Sequence, residues 1–190
     1  LPLEYGGQRT PTAQWTATAA GAAVLEKGDT PPFIHAATIG TIEDLGITDA
    51  NNMGAAMAPA AYDTLSALFQ ETGTGPKDYD LLITGDLGML GRDIVVDLFR
   101  EDGLDMGENY TDCGLLLYDR ERQDMHAGAS GCGCSAAVLN GYLLGGIRAG
   151  RWKKIVFAPT GALLSPTSSF QGESIPGICH AVVIAAGKEN

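Results

Sequence analysis

The stretch "HAGASGCGCSA", from His126 to Ala136, places an imidazole, hydroxyls and two thiols within eleven residues. Three chemistries fit such a run: a metal site, a thiol with its base, or a tightly packed helix start. A Cys-x-Cys pair is a weak metal signal, because structural zinc takes four ligands, commonly in Cys-x-x-Cys pairs. The further ligands would have to come from Cys113, Cys179 or a histidine, and none stands at metal-like spacing. Packing is therefore the favoured reading of Cys132 and Cys134, and no metal is expected. His126 sits in a loop that leads into a predicted helix. The free N–H groups and positive dipole end of that helix, near Ser130 and Gly131, suit a carboxylate, a phosphate or a developing oxyanion. A loop histidine bonded to backbone carbonyls is the alternative.

A second chemical signal is "ITGDLG", Ile83 to Gly88. It sets Asp86 just past a buried strand in a glycine-flanked turn, where α/β folds build sites. An Asx turn or helix cap is the slightly favoured reading of an aspartate there. "GDLGMLG" lacks both the GxGxxG spacing and the P-loop lysine, so it is not a phosphate loop. His35 and His180 fall inside apolar strand-like runs and read as structural. "SPTSSFQGESIPG" is a long polar loop, either a lid, a partner-facing loop or simply solvated.

The elements that must position these groups follow from periodicity. Ala13 to Leu25 alternates loosely and reads as a strand, in a hairpin with the run after Pro31-Pro32. Residues 49–73 turn helical, capped by Asp49 or Asn51 and stopped by Gly73, with Pro59 marking a kink or the true first turn. Tyr79 to Gly85 is a buried strand, and "GRDIVVDLFREDG" is an amphipathic helix. "CGLLLYD" is a short strand or a helical turn. Residues 130–150 form a helix with a small-residue face, and two strands close the chain. This order predicts an α/β layered domain with a mixed sheet between helices.

Composition limits the partners. With 12 Lys plus Arg against 23 Asp plus Glu, the net charge is −11. That argues against a nucleic-acid-binding face and against docking through a polybasic patch. The four cysteines read as reduced thiols of an intracellular-type protein. No apolar run has spanning length, so a soluble or peripheral chain is expected. Its first residue is Leu1, and the chain is expected to be cut from a longer protein.

The stretches "PLEYGGQRTPTAQWTATAAGAA", "HAATIGTIEDLGITDANNMGAAMAPAA", "YDLLITGDLG", "DMHAGASGCGCSA" and "PTGALLSPTSSFQGESIPGICHAVV" resemble the stage V sporulation protein AD family over nearly the whole chain. The resemblance implies a thiolase-like α/β fold, with a mixed five-stranded sheet layered between helices. Residues 1–30 would end a first half and residues 31–190 would form the second. It implies a subunit that binds dipicolinic acid, taken up with calcium, in a complex that moves it into the developing spore. Other members of the stage V sporulation protein A complex are the implied partners, at the inner spore membrane as a peripheral protein.

In the related condensing enzymes a histidine follows the strand that here reads "LLITGDLG", and Gly85 and Asp86 replace it. "HAGASG" keeps the second histidine and the Gly-Ala-Ser-Gly of those enzymes, one residue shorter and without their proline. The resemblance thus implies a binder rather than an enzyme, because the position of the nucleophilic cysteine lies outside this chain. Its ligand would be held by His126, Ser130, Gly131 and Asp86, with no cofactor. The competing reading is a thiolase or ketoacyl-synthase-type acyltransferase using His126. The helix over residues 130–150 would expect a partner helix, and two copies could pair through it.

Overall fold

A computed structural model describes residues 10–188. The amino-terminal end of the first family-like stretch, residues 2–9, lies outside the described residues. The main sheet runs in the order β2 (Phe33–Glu43), β8 (Gly177–Ala185), β6 (Lys154–Ala158), β3 (Leu81–Thr84) and β4 (Tyr110–Asp112). β6, β3 and β4 are parallel, and β8 is antiparallel to both β6 and β2. A sixth short strand, β7 (Thr160–Ala162), pairs with β8 and extends the lane of β6. The expected five-stranded sheet thus carries one more strand. Pro159, which has no N–H to donate, separates β6 from β7.

Alternation along the strands fills two cores. Leu82, Val156 and Val183 face α1 (Met53–Thr72) and α2 (Gly88–Glu101), where Leu65, Leu68, Phe69, Val95 and Phe99 meet them. Ile83, Ile155, Phe157 and Ile184 face the other way, onto Cys134, Val138, Leu143 and Ile147. Each fully buried Leu or Phe of these layers contributes about 1.5–3 kcal/mol. The helix on that second face runs through α4 (Cys132–Val138), a wide π-type turn (Leu139–Leu143) and α5 (Leu144–Arg148).

α1 is capped by the Asn52 side chain, which accepts from Ala55 N–H, rather than by Asp49 or Asn51. It ends at Gly73 in the left-handed conformation. Pro59 lies inside the helix, so it does not mark the first turn. The expected hairpin over residues 13–46 does not form. Its second arm is β2, paired with β8, and of the first arm only β1 (Trp15–Thr16) is a strand, paired in parallel with β5 (Ala129–Ser130). Residues 18–23 carry only Thr, Ala and Gly side chains, and residues 18–31 stay exposed, Val24 and Leu25 included. "CGLLLYD" begins as α3 (Cys113–Leu116), directly after β4.

Candidate functional site

β3 and β6 run parallel, so the turns after them lie side by side. Gly85 opens the first turn. A Cβ there would stand 2.7 Å from Thr160 N and 2.9 Å from Pro159 Cα, so only glycine fits under the β6–β7 junction. No imidazole can be carried at this position, and the first side chain that can leave the turn belongs to Asp86. Gly88 has φ +65°, and a Cβ there would meet Ala127 O at 2.5 Å.

α2 has no cap of its own at Leu87. Asp112, fully buried at the end of β4, supplies it. Its carboxylate accepts from Leu87 N at 3.1 Å and Gly88 N at 3.0 Å, and also from Gly114 N at 2.8 Å and Thr84 Oγ at 2.7 Å. One carboxylate thereby fixes the β3–α2 turn and the start of α3 together. Burial pushes Asp112 up to about 6, with the four hydrogen bonds opposing that shift.

Because Asp112 does the capping, Asp86 is free to turn elsewhere. It is neither an Asx-turn nor a cap residue of α2. Its Oδ2 accepts from Gly131 N at 2.8 Å and its Oδ1 from Thr160 Oγ at 2.9 Å. Gln14 Nε2 donates to Asp86 O at 2.9 Å and to Ala129 O at 3.0 Å, tying the segment before β1 to both sides. Burial raises the Asp86 carboxyl above the usual carboxylate range, and its two donors hold it back.

These groups border a cleft of about 490 Å³, a volume common for small-ligand sites. Asp86, Ser130, Gly131 and Thr160 line one part of it, while Met53, Met57 and Leu164 form an apolar wall. Three of the four sequence-predicted residues are thus brought together. The Gly131 N–H, however, is already donated to Asp86, so it is not an open anion donor.

His126 is not among the lining residues. Its Nδ1 stands 2.6 Å from Thr10 O and its Nε2 2.7 Å from Asp124 Oδ1, with its backbone at φ 44°. One oxygen of the amino-terminal segment, Thr10 O, and one of its own loop, Asp124 Oδ1, set the direction of the ring. His180 Nδ1 accepts from Gly40 N at 3.1 Å and His35 Nε2 lies 2.5 Å from Gly187 O, both in the sheet as expected.

The cysteines divide. Cys113, Cys134 and Cys179 are buried, and burial raises all three, Cys134 and Cys179 to about 12. Cys132 is exposed and lines the cleft, contrary to the packing assigned to it. It occupies the first residue of α4, where the helix has not yet reached the sheet. Among the described residues, no group of three or more His, Cys, Asp or Glu could hold a metal ion.

Thr160 and Gln14 are site residues that the sequence reading passed over, and Cys132 is one that it assigned to packing. The rule that placed Asp86 at a strand end applies equally to Thr160, two residues beyond β6. Gln14 has no such signal, since its partner Asp86 is distant in sequence.

The sequence profile of the family described as stage V sporulation protein AD matches residues 1–185. The chain belongs to the stage V sporulation protein AD family. A stage V sporulation protein AD from Bacillus subtilis (strain 168) is 46% identical over 182 residues, which cover 96% of this chain and 54% of that protein. The chain therefore spans about half the length of this relative. Among solved structures, a 3-oxoacyl-[acyl-carrier-protein] synthase III from Aquifex aeolicus VF5 is similar at a TM-score of 0.44 and 12% identity, covering 84% of this chain and 46% of that one. Among the described residues, no helix is long and apolar enough to cross a membrane.

Proposed function

We propose that this chain forms the ligand-binding part of a non-catalytic sporulation subunit that takes dipicolinate, with calcium, on its way into the developing spore. The family supports the sporulation role. The observation that carries the site is the Asp86–Thr160–Ser130 cleft, in which hydroxyls and one half-buried carboxyl face a methionine-lined wall. The wall suits the flat pyridine ring, and the Ser130 hydroxyl suits a ligand carboxylate, the Thr160 hydroxyl being given to Asp86. Asp86 then meets a ligand carboxylate, so the two must share a proton or a calcium ion, because like charges at contact distance cannot both stay bare.

The same reading makes residues 31–190 the second half of a thiolase-like fold, in β-α-β-α-β-α-β-β order, and residues 1–30 the end of the first. The pairing of β1 with β5 alone, apart from the main sheet, supports that division. The other members of the stage V sporulation protein A complex are its partners, and the inner spore membrane is its location, as a peripheral protein. Acyl transfer is disfavoured because it would need an imidazole in the cleft, and His126 turns to Thr10 and Asp124.

Calorimetric titration of dipicolinate into the full-length protein, with and without calcium, tests this. Saturable binding, weakened on the order of tenfold by Ser130→Ala through loss of one hydrogen bond to a charged group and unchanged by His126→Ala, is expected. Turnover of an acyl thioester, or loss of binding only with His126→Ala, would overturn it.

A further inference from the structure

We infer that Gln14 is a positioning residue of the cleft, and that through it residues 13–19 set the spacing between Asp86 and Ser130, the two groups that would meet the ligand. The inference rests on the cleft being the ligand site. It makes that site depend on a segment that the proposed division gives to the first half of the fold.

Asp86 and Ser130 belong to different sheets. Asp86 follows β3, which pairs with β4 and β6, whereas Ser130 ends β5, which pairs with β1. Among the described residues no strand ladder joins the two, so side chains must set their distance. Asp86 does so itself, through Oδ2 and Gly131 N, but a ligand or cation arriving at that carboxyl competes with this bond. A backbone bond of 2.8 Å from Met89 N to Ala127 O joins the same segments three residues further from each group. The link at the site that a ligand does not contest is Gln14.

The Gln14 amide has one possible orientation. Its Nε2 donates to Asp86 O at 2.9 Å and to Ala129 O at 3.0 Å. Both partners are carbonyl oxygens, which only accept, so the nitrogen must face them and both of its hydrogens are spent. Asp86 O belongs to the residue whose carboxyl borders the cleft, and Ala129 O to the peptide that carries Ser130 N. One planar amide therefore spans the two sides.

Its seat is close on every side. A Cβ at Gly88 would stand 2.7 Å from Gln14 Nε2 and 3.2 Å from Gln14 Cδ, so the amide fills the space that glycine leaves in the β3–α2 turn. The flanking backbone is bonded to the loop before α4: Ala127 N donates to Ala13 O at 3.0 Å, Trp15 N to Gly128 O at 2.9 Å and Ala17 N to Ser130 O at 2.9 Å. Ala19 O would lie 2.3 Å from a Cβ at Gly133. Residues 13–19 thus run along residues 127–133, and Ala13, Gln14 and Thr16 also line the cleft. Coupling of this kind is mutual, so a ligand that holds Asp86 and Ser130 at their spacing must also hold this segment in place.

The test is a double-mutant cycle of Gln14→Met and Ser130→Ala in the full-length protein, read by calorimetric titration of dipicolinate with calcium. Met keeps the side chain's length and donates nothing. Gln14→Met should weaken binding on the order of tenfold, the loss of the Ser130 hydrogen bond to a charged group. Adding Ser130→Ala to it should then weaken binding by less than about twofold, because the hydroxyl is no longer placed. Gly146→Ala is the control for lost stability alone: its Cβ would stand 2.2 Å from the Trp152 ring, at the far end of the helix that begins at Cys132, and it should bind as the parent does. Hydrogen exchange of the ligand-free proteins gives a second reading, in which Gln14→Met should speed exchange at Gly131 N on the order of fivefold. Additive losses in the cycle, parental affinity in Gln14→Met, an equal loss in Gly146→Ala, or unchanged exchange at Gly131 would each overturn the inference. A parent protein that does not bind dipicolinate would overturn the reading of the cleft instead, and exchange at Gly131 would then decide the positioning role alone.

Discussion

Removing the Asp112 carboxylate tests how the β3–α2 turn is held. In Asp112→Ala, the N–H groups of Leu87, Gly88 and Gly114 lose their acceptor at a site with 0% exposure. Each buried donor left unmade costs about 1–3 kcal/mol. Against this stands relief from burying a charge. A carboxyl raised from 3.8 to about 6 corresponds to about 3 kcal/mol at neutral pH. A water entering the vacated space would satisfy part of the remainder. At about 2 kcal/mol for each of the three donors, less about 3 kcal/mol for the relief and a further share for the water, the expected net loss is about 2 kcal/mol, read from urea unfolding followed by circular dichroism.

The pH dependence has a definite sign. With the folded value above the unfolded one, the folded state holds more protons between about pH 4 and 6, so this group's contribution to stability falls as pH rises through that window. Asp112→Asn, which cannot titrate, should abolish that part of the slope while keeping one acceptor oxygen. An Asp112→Ala protein within about 0.5 kcal/mol of the parent, a typical surface-substitution effect, would refute the capping role. An Asp112→Asn protein with an unchanged slope between those pH values would refute the titration argument.

Two further perturbations test the helix layer and the cleft. Gly91→Ala places a Cβ 2.8 Å from Gly54 Cα at the crossing of α1 and α2, and overpacking of this kind should cost about 1–3 kcal/mol in a thermal melt. Asp86→Asn removes a carboxylate whose value burial raises. Calcium-free dipicolinate should bind the parent more tightly as pH falls and Asp86 gains its proton. The Asn variant should bind it about 10- to 100-fold more tightly at neutral pH, from a repulsion of about 1–3 kcal/mol across a partly screened contact, and with little pH dependence. Weaker binding to the Asn variant, measured by calorimetry, would contradict this.

Local sequence sufficed where one element decided the outcome. The buried run ending at Thr84, the glycine stop at Gly73 and the place of Asp86 just beyond a strand are each set within a few residues. Distant contacts decided the rest. Whether Asp86 caps its own helix depends on Asp112, which satisfies Leu87 and Gly88 from another strand. The direction of His126 depends on Thr10 and Asp124, and the loop composition that suggested a ligand donor says nothing of that choice. β4 escaped notice because three residues, Tyr110–Asp112, carry no measurable alternation. The loose pattern over residues 13–25 suggested a strand, yet only Trp15 and Thr16 pair as one. Cys132 and Cys134 share one motif, but a helix turns successive residues to different sides, so one thiol is buried and the other faces the cleft.

That difference supplies the most direct measurement of the cleft as the ligand site. Cys132 is the exposed thiol of this chain, while Cys113, Cys134 and Cys179 are buried. In the full-length protein, labelling by a thiol reagent with the modified residue located by mass spectrometry should find Cys132 fast and the other three slow. Saturating dipicolinate with calcium should protect Cys132 selectively, to the same half-point as the calorimetric titration. Dipicolinate that binds in the titration while Cys132 reacts at its unliganded rate would place the ligand elsewhere and contradict the account.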